Sequence, residues 1–367
     1  FVSYPVCSAS KAAIYTGLHS HVNGLQGNTY NYFKPASEVT EAERNRPLAR
    51  RLQVRDRFPT LVEKLAEAGY YSATTHKLHV LPNRKFPYDE FRREMDAGGV
   101  REFIRRAETK TRPWFLFYNI RYPHRPYRNS ETVEIGVDPA TCRPPGFLPD
   151  VPAVRRDWAE YLDACQLADR EVGQALEGLR QAGAENDTII VFMGDHGPAF
   201  HRGKMSLHDF GLRVPLVVSG PGIPGGRTSR ALVSELDLMP TLLDLLDLRI
   251  PGEQHGMSLK PLLRNEPDAK GHDLIFAEIA HHIQQRDNGM RERSVYDGRF
   301  HLIYRQDPEK PRTVNADLKP GGPWGNRSYA ATVEHRESQP LAYELLRQID
   351  AQSLGGHPPR FEVCDTE

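Results

Sequence analysis

Hydrophobic and polar positions alternate between helix-like and strand-like patterns over the first two thirds of the chain. Residues 60–63 (TLVE) form a capping box, and the helix that they begin is expected to end at Gly69. Apolar runs of strand length follow at residues 70–75 and 114–120, and the second run is apolar enough to be buried on both faces. Such alternation is typical of a parallel sheet whose strands are joined by crossover helices.

The same alternation continues through the middle of the chain. An amphipathic helix is predicted over residues 158–179, and residues 188–193 form the most regular of the predicted strands. A further strand is predicted at residues 214–218. A helix over residues 241–248 is expected to follow Pro240, because the first turn of a helix does not need the amide that proline lacks.

Short strands and turns replace this pattern toward the end of the chain. Residues 276–279 and 293–304 are predicted to form a small antiparallel sheet, with Asp297-Gly298 as a hairpin turn. The predicted fold class is α/β, with a mostly parallel mixed sheet between layers of helices. We assign residues 1–270 to this α/β domain and residues 271–367 to a smaller C-terminal subdomain with the antiparallel sheet.

Composition limits the classes of function. The 367 residues include 48 Lys plus Arg and 48 Asp plus Glu, so the formal net charge is zero. A nucleic-acid partner is not expected, because such binding needs an excess of positive charge. A membrane span is not expected either, since no stretch approaches the ~18 consecutive apolar residues that a membrane helix requires. The four cysteines are too scattered for a disulfide scaffold, and the sequence leaves the oligomeric state unknown.

Polar side chains that could take part in catalysis or metal binding follow three of the predicted strands. They are residues 76–79 (HKLH), 121–125 (RYPHR) and 194–197 (GDHG). Ligands of open parallel sheets bind beyond the carboxyl ends of the strands, so we expect the three segments to share one crevice. Each segment alone is also what an ordinary polar loop contains. The Asp-His-Gly turn is the most informative, because its carboxylate and imidazole can both face one cation.

The N-terminal segment supplies a candidate nucleophile. Ser10 is predicted to cap a short helix from Lys11 to Thr16, which Gly17 would end. Cys7 would then lie just before a helix N-terminus, where the helix dipole favours an anion. For a single cysteine without other context, burial as a small apolar side chain is the ordinary interpretation.

In combination and in this order, the motifs resemble those of the type I sulfatases, which belong to the alkaline phosphatase superfamily. Residues 7–11 (CSASK), followed by Thr16-Gly17, are similar to the signature C-x-P/A-S-R and its T-G. Residues 77–79 resemble the K-x-H motif of the family, and Pro123-His124 resembles its loop histidine. Within the family, the layout is similar to the heparan N-sulfatase branch and its bacterial relatives.

Two further motifs extend this resemblance and bear on the metal. Residues 194–197 are similar to the metal turn of the family, and Gly203-Lys204 resembles the lysine that follows it. The resemblance implies that Ca²⁺, or Mg²⁺ in its place, is held by Asp195, His196 and the modified Cys7. It also implies export to the periplasm, the extracellular space or the lysosome.

The activity that the resemblance implies is hydrolysis of a sulfate ester or sulfamate on a sulfated carbohydrate. A formylglycine-generating maturation enzyme would oxidise Cys7, and the hydrated aldehyde would attack sulfur. Lys77 and Lys204 would bind the sulfuryl oxygens of the substrate. His79 would take a proton from the second hydroxyl of the diol, and His124 would contact the substrate and protonate the leaving group.

Two features depart from the pattern of the family. Lys11, which would orient the diol, stands where the family has arginine, so a point charge replaces a fork of donors. The family also begins with a strand that carries two adjacent aspartates of the metal site, and only six residues precede Cys7. We therefore expect the 367 residues to be a fragment without that strand, and to be inactive on their own.

Alternative interpretations stay open at this point. Lys204 lies in a charged stretch with His201, Arg202 and His208, which a solvated loop would also contain. A phosphodiesterase or phosphonate hydrolase of the same superfamily would use a similar fold and metal turn. A degenerate homologue would bind sulfated glycans without hydrolysing them, and it would keep an unmodified thiol at Cys7.

Overall fold

A parallel sheet of three strands lies in the first third of the chain. The computed structural model describes residues 1–29, 38, 40–44, 52–127, 136–281, 291–310 and 325–366. The three strands are β1 (Tyr71–Thr75), β2 (Glu90–Arg92) and β3 (Trp114–Phe117), in the order β2-β1-β3. β1 is central and buried at every position, and Tyr71 pairs with Trp114 in register. The strands predicted near residues 70–75 and 114–120 are therefore confirmed, whereas the sequence did not indicate β2.

The next two strands, β4 (Ile190–Met193) and β5 (Leu216–Ser219), form an antiparallel pair in which Ile190 is opposite Ser219. This pairing differs from the parallel arrangement that the alternation indicated. A parallel pair needs a long crossover between its strands, usually a helix. The segment between β4 and β5 contains only one short helix, Asp209–Leu212.

Helices surround these strands. Those of the described residues are α1 (Cys7–Thr16), α2 (Ser20–Asn23), α3 (Glu41–Arg44), α4 (Leu61–Glu67), α5 (Ala97–Thr109), α6 (Pro152–Ala182), α7 (Asp209–Leu212), α8 (Leu238–Leu245), α9 (Lys260–Leu263), α10 (Arg327–Glu334), α11 (Pro340–Ile349) and α12 (Ala351–Leu354). The capping box of α4 is present, with Thr60 and Glu63 bonded reciprocally. α6 contains the predicted helix and ends at Gly183, which adopts a left-handed conformation.

The long helix α6 packs closely against α5. Gly178 allows this approach, because a Cβ atom there would lie 2.5 Å from the carbonyl oxygen of Ala97. Among the described helices, none combines the length and the apolar character that crossing a lipid bilayer would require.

The C-terminal part contains an antiparallel sheet of four strands in the order β6-β7-β8-β9. They are β6 (Ile275–Ile279), β7 (Glu292–Tyr296), β8 (Phe300–Arg305) and β9 (Phe361–Asp365). The predicted hairpin is present, and Asp297 accepts from the amide of Arg299 at 2.9 Å in its turn. The N-terminal segment reaches this sheet, since the amide of Glu278 donates to the carbonyl of Ser3 at 2.9 Å.

Helix α1 is buried along its whole length, and it begins earlier than predicted. Ser10 is not its cap, which corrects the prediction: the helix starts at Cys7, and Val6 occupies the capping position without a side-chain bond. The hydroxyl of Ser10 donates instead to the carboxylate of Glu235 at 2.6 Å, because a buried hydroxyl needs a partner within the core. The amide of Ser8 donates to Asn28 Oδ1 at 3.0 Å, which satisfies one of the free amides of the first turn.

Glu235 is predicted to make folding less favourable as the pH rises. Burial raises its pKa from 4.5 to about 7, although hydrogen bonds from Ser10 and Ser3 oppose the shift. Between these two values the unfolded chain loses a proton that the folded chain keeps. The free energy of unfolding therefore falls with pH in this window, by up to about 1.4 kcal/mol per pH unit, and it levels off above the folded pKa.

Glu235→Gln should reduce this slope, because the amide does not titrate. Denaturant unfolding at a series of pH values measures the slope, and Glu102→Gln on the exposed face of α5 serves as the matched control. Equal slopes in Glu235→Gln and in the unsubstituted protein would show that the buried carboxyl does not hold a proton.

Candidate active site

The structure brings Cys7 together with the turn that follows β4. The Sγ atom of Cys7 lies 3.2 Å from Nε2 of His196, although the two residues are 189 positions apart in the chain. The potential ligand atoms of Cys7, Asp195 and His196 all lie within 4.8 Å of one another. The first turn of α1 and the end of β4 therefore contribute to one site.

Cys7 is almost completely buried, at 2% exposure, but its surroundings are charged rather than apolar. Burial alone would raise the pKa of the thiol, yet Lys204, Lys77 and His196 lower it well below its ordinary value. For His196 the directions are reversed. Burial alone would lower its pKa, but the negative charges of Asp195 and Cys7 raise it above the ordinary value. The geometry favours a thiolate beside an imidazolium, which is the reactive form of a cysteine.

The segment that carries Lys204 is buried. Lys204 is 3% exposed and His201 is 1% exposed, so this part of the chain is not the solvated loop that its charges would also allow. The amide of Met205 donates to the carbonyl of Pro5 at 2.9 Å. This bond fixes the segment beside the residues that precede Cys7.

Lys11 connects α1 to the ends of β1 and β3. Its ammonium donates to the carbonyl of Lys77 at 2.7 Å and to Oδ1 of Asn119. The amide nitrogen of Asn119 donates to Thr74 Oγ1 and to the carbonyl of Thr75, both at 3.0 Å, so its oxygen must face Lys11. Burial and the charge of Lys77 lower the pKa of Lys11 to about 7.

Asn119 is a residue of the site that the sequence analysis missed. It lies two positions beyond the end of β3, at the edge of the sheet where the other candidate side chains were sought. An asparagine at that edge was the available signal. Its partner could not be inferred, because Lys11 is 108 positions away in sequence.

His79 is oriented so that one ring nitrogen can accept a proton. Its Nε2 lies 3.0 Å from the carbonyl of Thr29 and must donate to it, which leaves Nδ1 as the acceptor. Burial and the charge of Lys77 lower the pKa of His79 to about 3, although an interaction with Cys7 opposes this shift. The imidazole is therefore neutral near pH 7 and carries its lone pair on Nδ1.

His124 lies in the loop after β3, where its Nδ1 is 2.5 Å from the carbonyl of Arg125. Arg125 anchors this loop to α6 through two hydrogen bonds to Asp157, at 2.7 and 2.8 Å, and both side chains are 2% exposed. These bonds hold the loop against α6. That His124 contacts the substrate and protonates its leaving group stays a prediction.

The donor set that these residues offer is only part of a Ca²⁺ shell. Asp195 supplies carboxylate oxygen, His196 supplies nitrogen and Cys7 supplies sulfur, or oxygen after conversion to an aldehyde. Ca²⁺ takes six to eight oxygen ligands. The three side chains do not fit Ca²⁺ as a complete site, and we derive no catalytic step from the ion.

Lys204→Met is expected to raise the pKa of the unconverted Cys7 thiol, because the lysine charge stabilises the thiolate. A shift of roughly 1 to 3 pH units is expected for the loss of a nearby opposite charge. The ultraviolet absorbance of the thiolate against pH, taken as a difference from Cys7→Ser, measures it. Lys64→Met on α4 is the control, and equal thiol pKa values in the two lysine variants would contradict the arrangement.

Comparisons with known proteins find relatives of the chain as a whole. Residues 88–248 match the family model described as Sulfatase, and residues 194–319 match the one described as N-sulphoglucosamine sulphohydrolase, C-terminal. The N-sulphoglucosamine sulphohydrolase of Homo sapiens is 29% identical to the chain over 366 residues, which cover 87% of this chain and 68% of the human protein. The alignments with the next two matching relatives, which are bacterial, cover only 57% and 66% of the length of those proteins.

Solved structures show the same fold. A 2-O GAG sulfatase has a TM-score of 0.62 at 19% identity, with 96% of this chain and 85% of the other covered. A phosphonate monoester hydrolase from Silicibacter pomeroyi has a TM-score of 0.59 at 19% identity, with 98% and 92% covered. The predicted fold class is thereby confirmed. The two family models and the human relative support assignment of the chain to the sulfatase family, in its N-sulphoglucosamine sulphohydrolase-like branch.

Proposed function

We propose that the protein hydrolyses a sulfate ester or sulfamate on a carbohydrate, with Cys7 converted to formylglycine by a maturation enzyme. The observation that carries the proposal is the position of Cys7 among Lys77, Lys204 and His196, which all favour negative charge at its side chain. A buried site with this excess of positive charge is complementary to an anionic sulfuryl group. Export from the cytoplasm is part of the same proposal.

Each side chain has a task for which its environment suits it. The hydrated aldehyde of a converted Cys7 would supply a hydroxyl that attacks sulfur, and its second hydroxyl would allow sulfate to leave. Lys77 and Lys204 would neutralise the sulfuryl oxygens as charge develops on them. Lys11 would hold the loop of Lys77 through its carbonyl, and it would orient the attacking group.

Two histidines would move protons. The neutral His79 would take the proton of the second hydroxyl at Nδ1, since Nε2 donates to Thr29. Its low pKa makes it a weak base at rest, and negative charge at position 7 strengthens it. His124 would donate a proton to the departing alcohol or amine, so that a neutral group leaves as its bond to sulfur breaks.

Asp195, His196 and the modified Cys7 would contribute to a site for a divalent cation, Ca²⁺ or Mg²⁺. Asp195→Ala should remove any increase in melting temperature that CaCl₂ alone produces, because it takes away the carboxylate of the cluster. Asp169→Ala on the exposed face of α6 is the control. A calcium-dependent increase of equal size in both variants would show that the cation binds elsewhere.

Hydrolysis of a phosphonate or phosphate ester is the second candidate function. The similarity of the fold to a phosphonate monoester hydrolase favours keeping it, and both substrate classes present an anionic tetrahedral group. A glycan-binding homologue without turnover is the third alternative. Such a homologue would keep an unmodified thiol at Cys7, and this distinguishes it from the proposed sulfatase with formylglycine.

The test uses the complete protein, produced together with a formylglycine-generating enzyme. A sulfated sugar and a sulfamate sugar should be hydrolysed faster than a phosphate diester and a phosphonate monoester. Mass spectrometry of the peptide with Cys7 should give the mass of formylglycine, and Cys7→Ala should reduce the rate to background. Faster hydrolysis of the phosphorus substrates would favour the second function, and an intact thiol without turnover would favour the third.

A further inference from the structure

Glu362 on β9 binds the segment of Lys204 at two points. Its Oε1 accepts from Arg202 Nη2 at 3.1 Å and lies 3.0 Å from Nε2 of His208. The other ring nitrogen of His208 is 2.6 Å from Ser206 Oγ, so the ring has a partner on both sides. Arg202 and His208 flank Lys204 in sequence. One carboxylate from the C-terminal sheet therefore holds both ends of this segment.

The carboxylate of Glu362 is itself fixed in place. Its Oε2 accepts from Arg305 Nη2 at 2.7 Å, and the same guanidinium donates to the carbonyl of Pro359 at 3.0 Å. Burial alone would raise the pKa of Glu362, but His208 and Arg305 hold it well below its usual range. The carboxylate is therefore ionised at neutral pH and faces several donors at once.

The backbone beside Lys204 has a conformation that needs such support. Arg202 has φ 65° and Met205 has φ 66°, in the left-handed region that side chains with a Cβ disfavour. Residues held there persist only when the surrounding structure fixes them. Met205 is bonded to Pro5, two residues before Cys7, so the same strained segment is also attached to the N-terminal side of the site.

We propose that Glu362 is a positioning residue, which holds Lys204 beside Cys7 and so makes the active site depend on the C-terminal sheet. The inference rests on the proposed function for the role of Lys204 as a ligand of the sulfuryl group. Glu362 acts through Arg202 and His208. Without its charge, the partly buried side chains of Arg202 and His208 lose their shared acceptor. The segment then relaxes from its left-handed conformation and moves the lysine.

The catalytic test is a double-mutant cycle with Lys204→Met in the converted protein. Glu362→Ala should lower kcat/KM for a sulfated sugar by ~10- to 100-fold, because misplacement of a catalytic group is costly. In the Lys204→Met background it should cause no further loss. Asp365→Asn is the matched control, since Asp365 lies on the same strand and pairs with Arg299 at the surface at 3.1 Å. Losses that are equal in both backgrounds, or shared by Asp365→Asn, would overturn the inference.

A second measurement does not depend on turnover. Amide hydrogen exchange at residues 203–206 should be faster in Glu362→Ala than in Asp365→Asn, while the exchange of α1 stays unchanged. Glu362→Gln keeps the shape of the side chain and should give a smaller change, and it replaces the alanine variant in both tests if that variant does not fold. Unchanged exchange in the Glu362 variants would overturn the inference. Absence of sulfatase activity in the unsubstituted protein would instead remove the proposed function and leave the exchange result to decide.

Discussion

The accumulation of positive charge around one buried side chain is the constraint on which the site depends. Lys77, Lys204 and His196 act on Cys7 from different parts of the chain. Burial, together with the charge of Lys77, lowers the pKa of Lys11 to about 7. Such a group of cations is unfavourable in the interior unless an anion lies among them. A thiolate can be that anion in the unconverted protein, and an anionic tetrahedral group of a substrate can replace it. This reasoning applies equally to sulfate and to phosphonate, so charge alone does not select between the two substrate classes.

Lys11 is held in a way that leaves its charge available. The ammonium of Lys11 is bonded to two neutral acceptors, the carbonyl of Lys77 and the amide oxygen of Asn119. Neutral acceptors satisfy the hydrogen-bonding needs of a buried ammonium without cancelling its field. The carboxylate of Glu362 bonds to Arg202, His208 and Arg305, which lie outside the group of cations around Cys7, and it also accepts from the thiol of Cys364.

Local sequence patterns predicted the elements, and long-range pairing limited what they could predict about the site. The capping box of α4, strands β1 and β3, and the hairpin at Asp297 depend on neighbouring residues, and the structure contains them all. The role of Ser10 was predicted wrongly, because its partner Glu235 is 225 positions away and tertiary contact replaced the local cap. The antiparallel pairing of β4 with β5 was missed, since the apolar pattern of a strand does not encode its direction. Asn119 and Glu362 were missed for the reason that also applies to Ser10: their partners are distant in sequence.

The site forms only in the assembled tertiary structure, so a change far from Cys7 can also disturb it. Ser3 is bonded to β6 and Pro5 to the segment of Lys204, while β9 holds that segment from its other side. Cys7 and the residues that hold its surroundings thus come from both ends of the chain. Because each of these bonds joins residues far apart in sequence, none of them survives in a locally ordered but globally unfolded chain. A change that loosens the packing between the N-terminal segment and the C-terminal sheet should therefore reduce activity before it melts the helices and strands, even where no residue near Cys7 is altered.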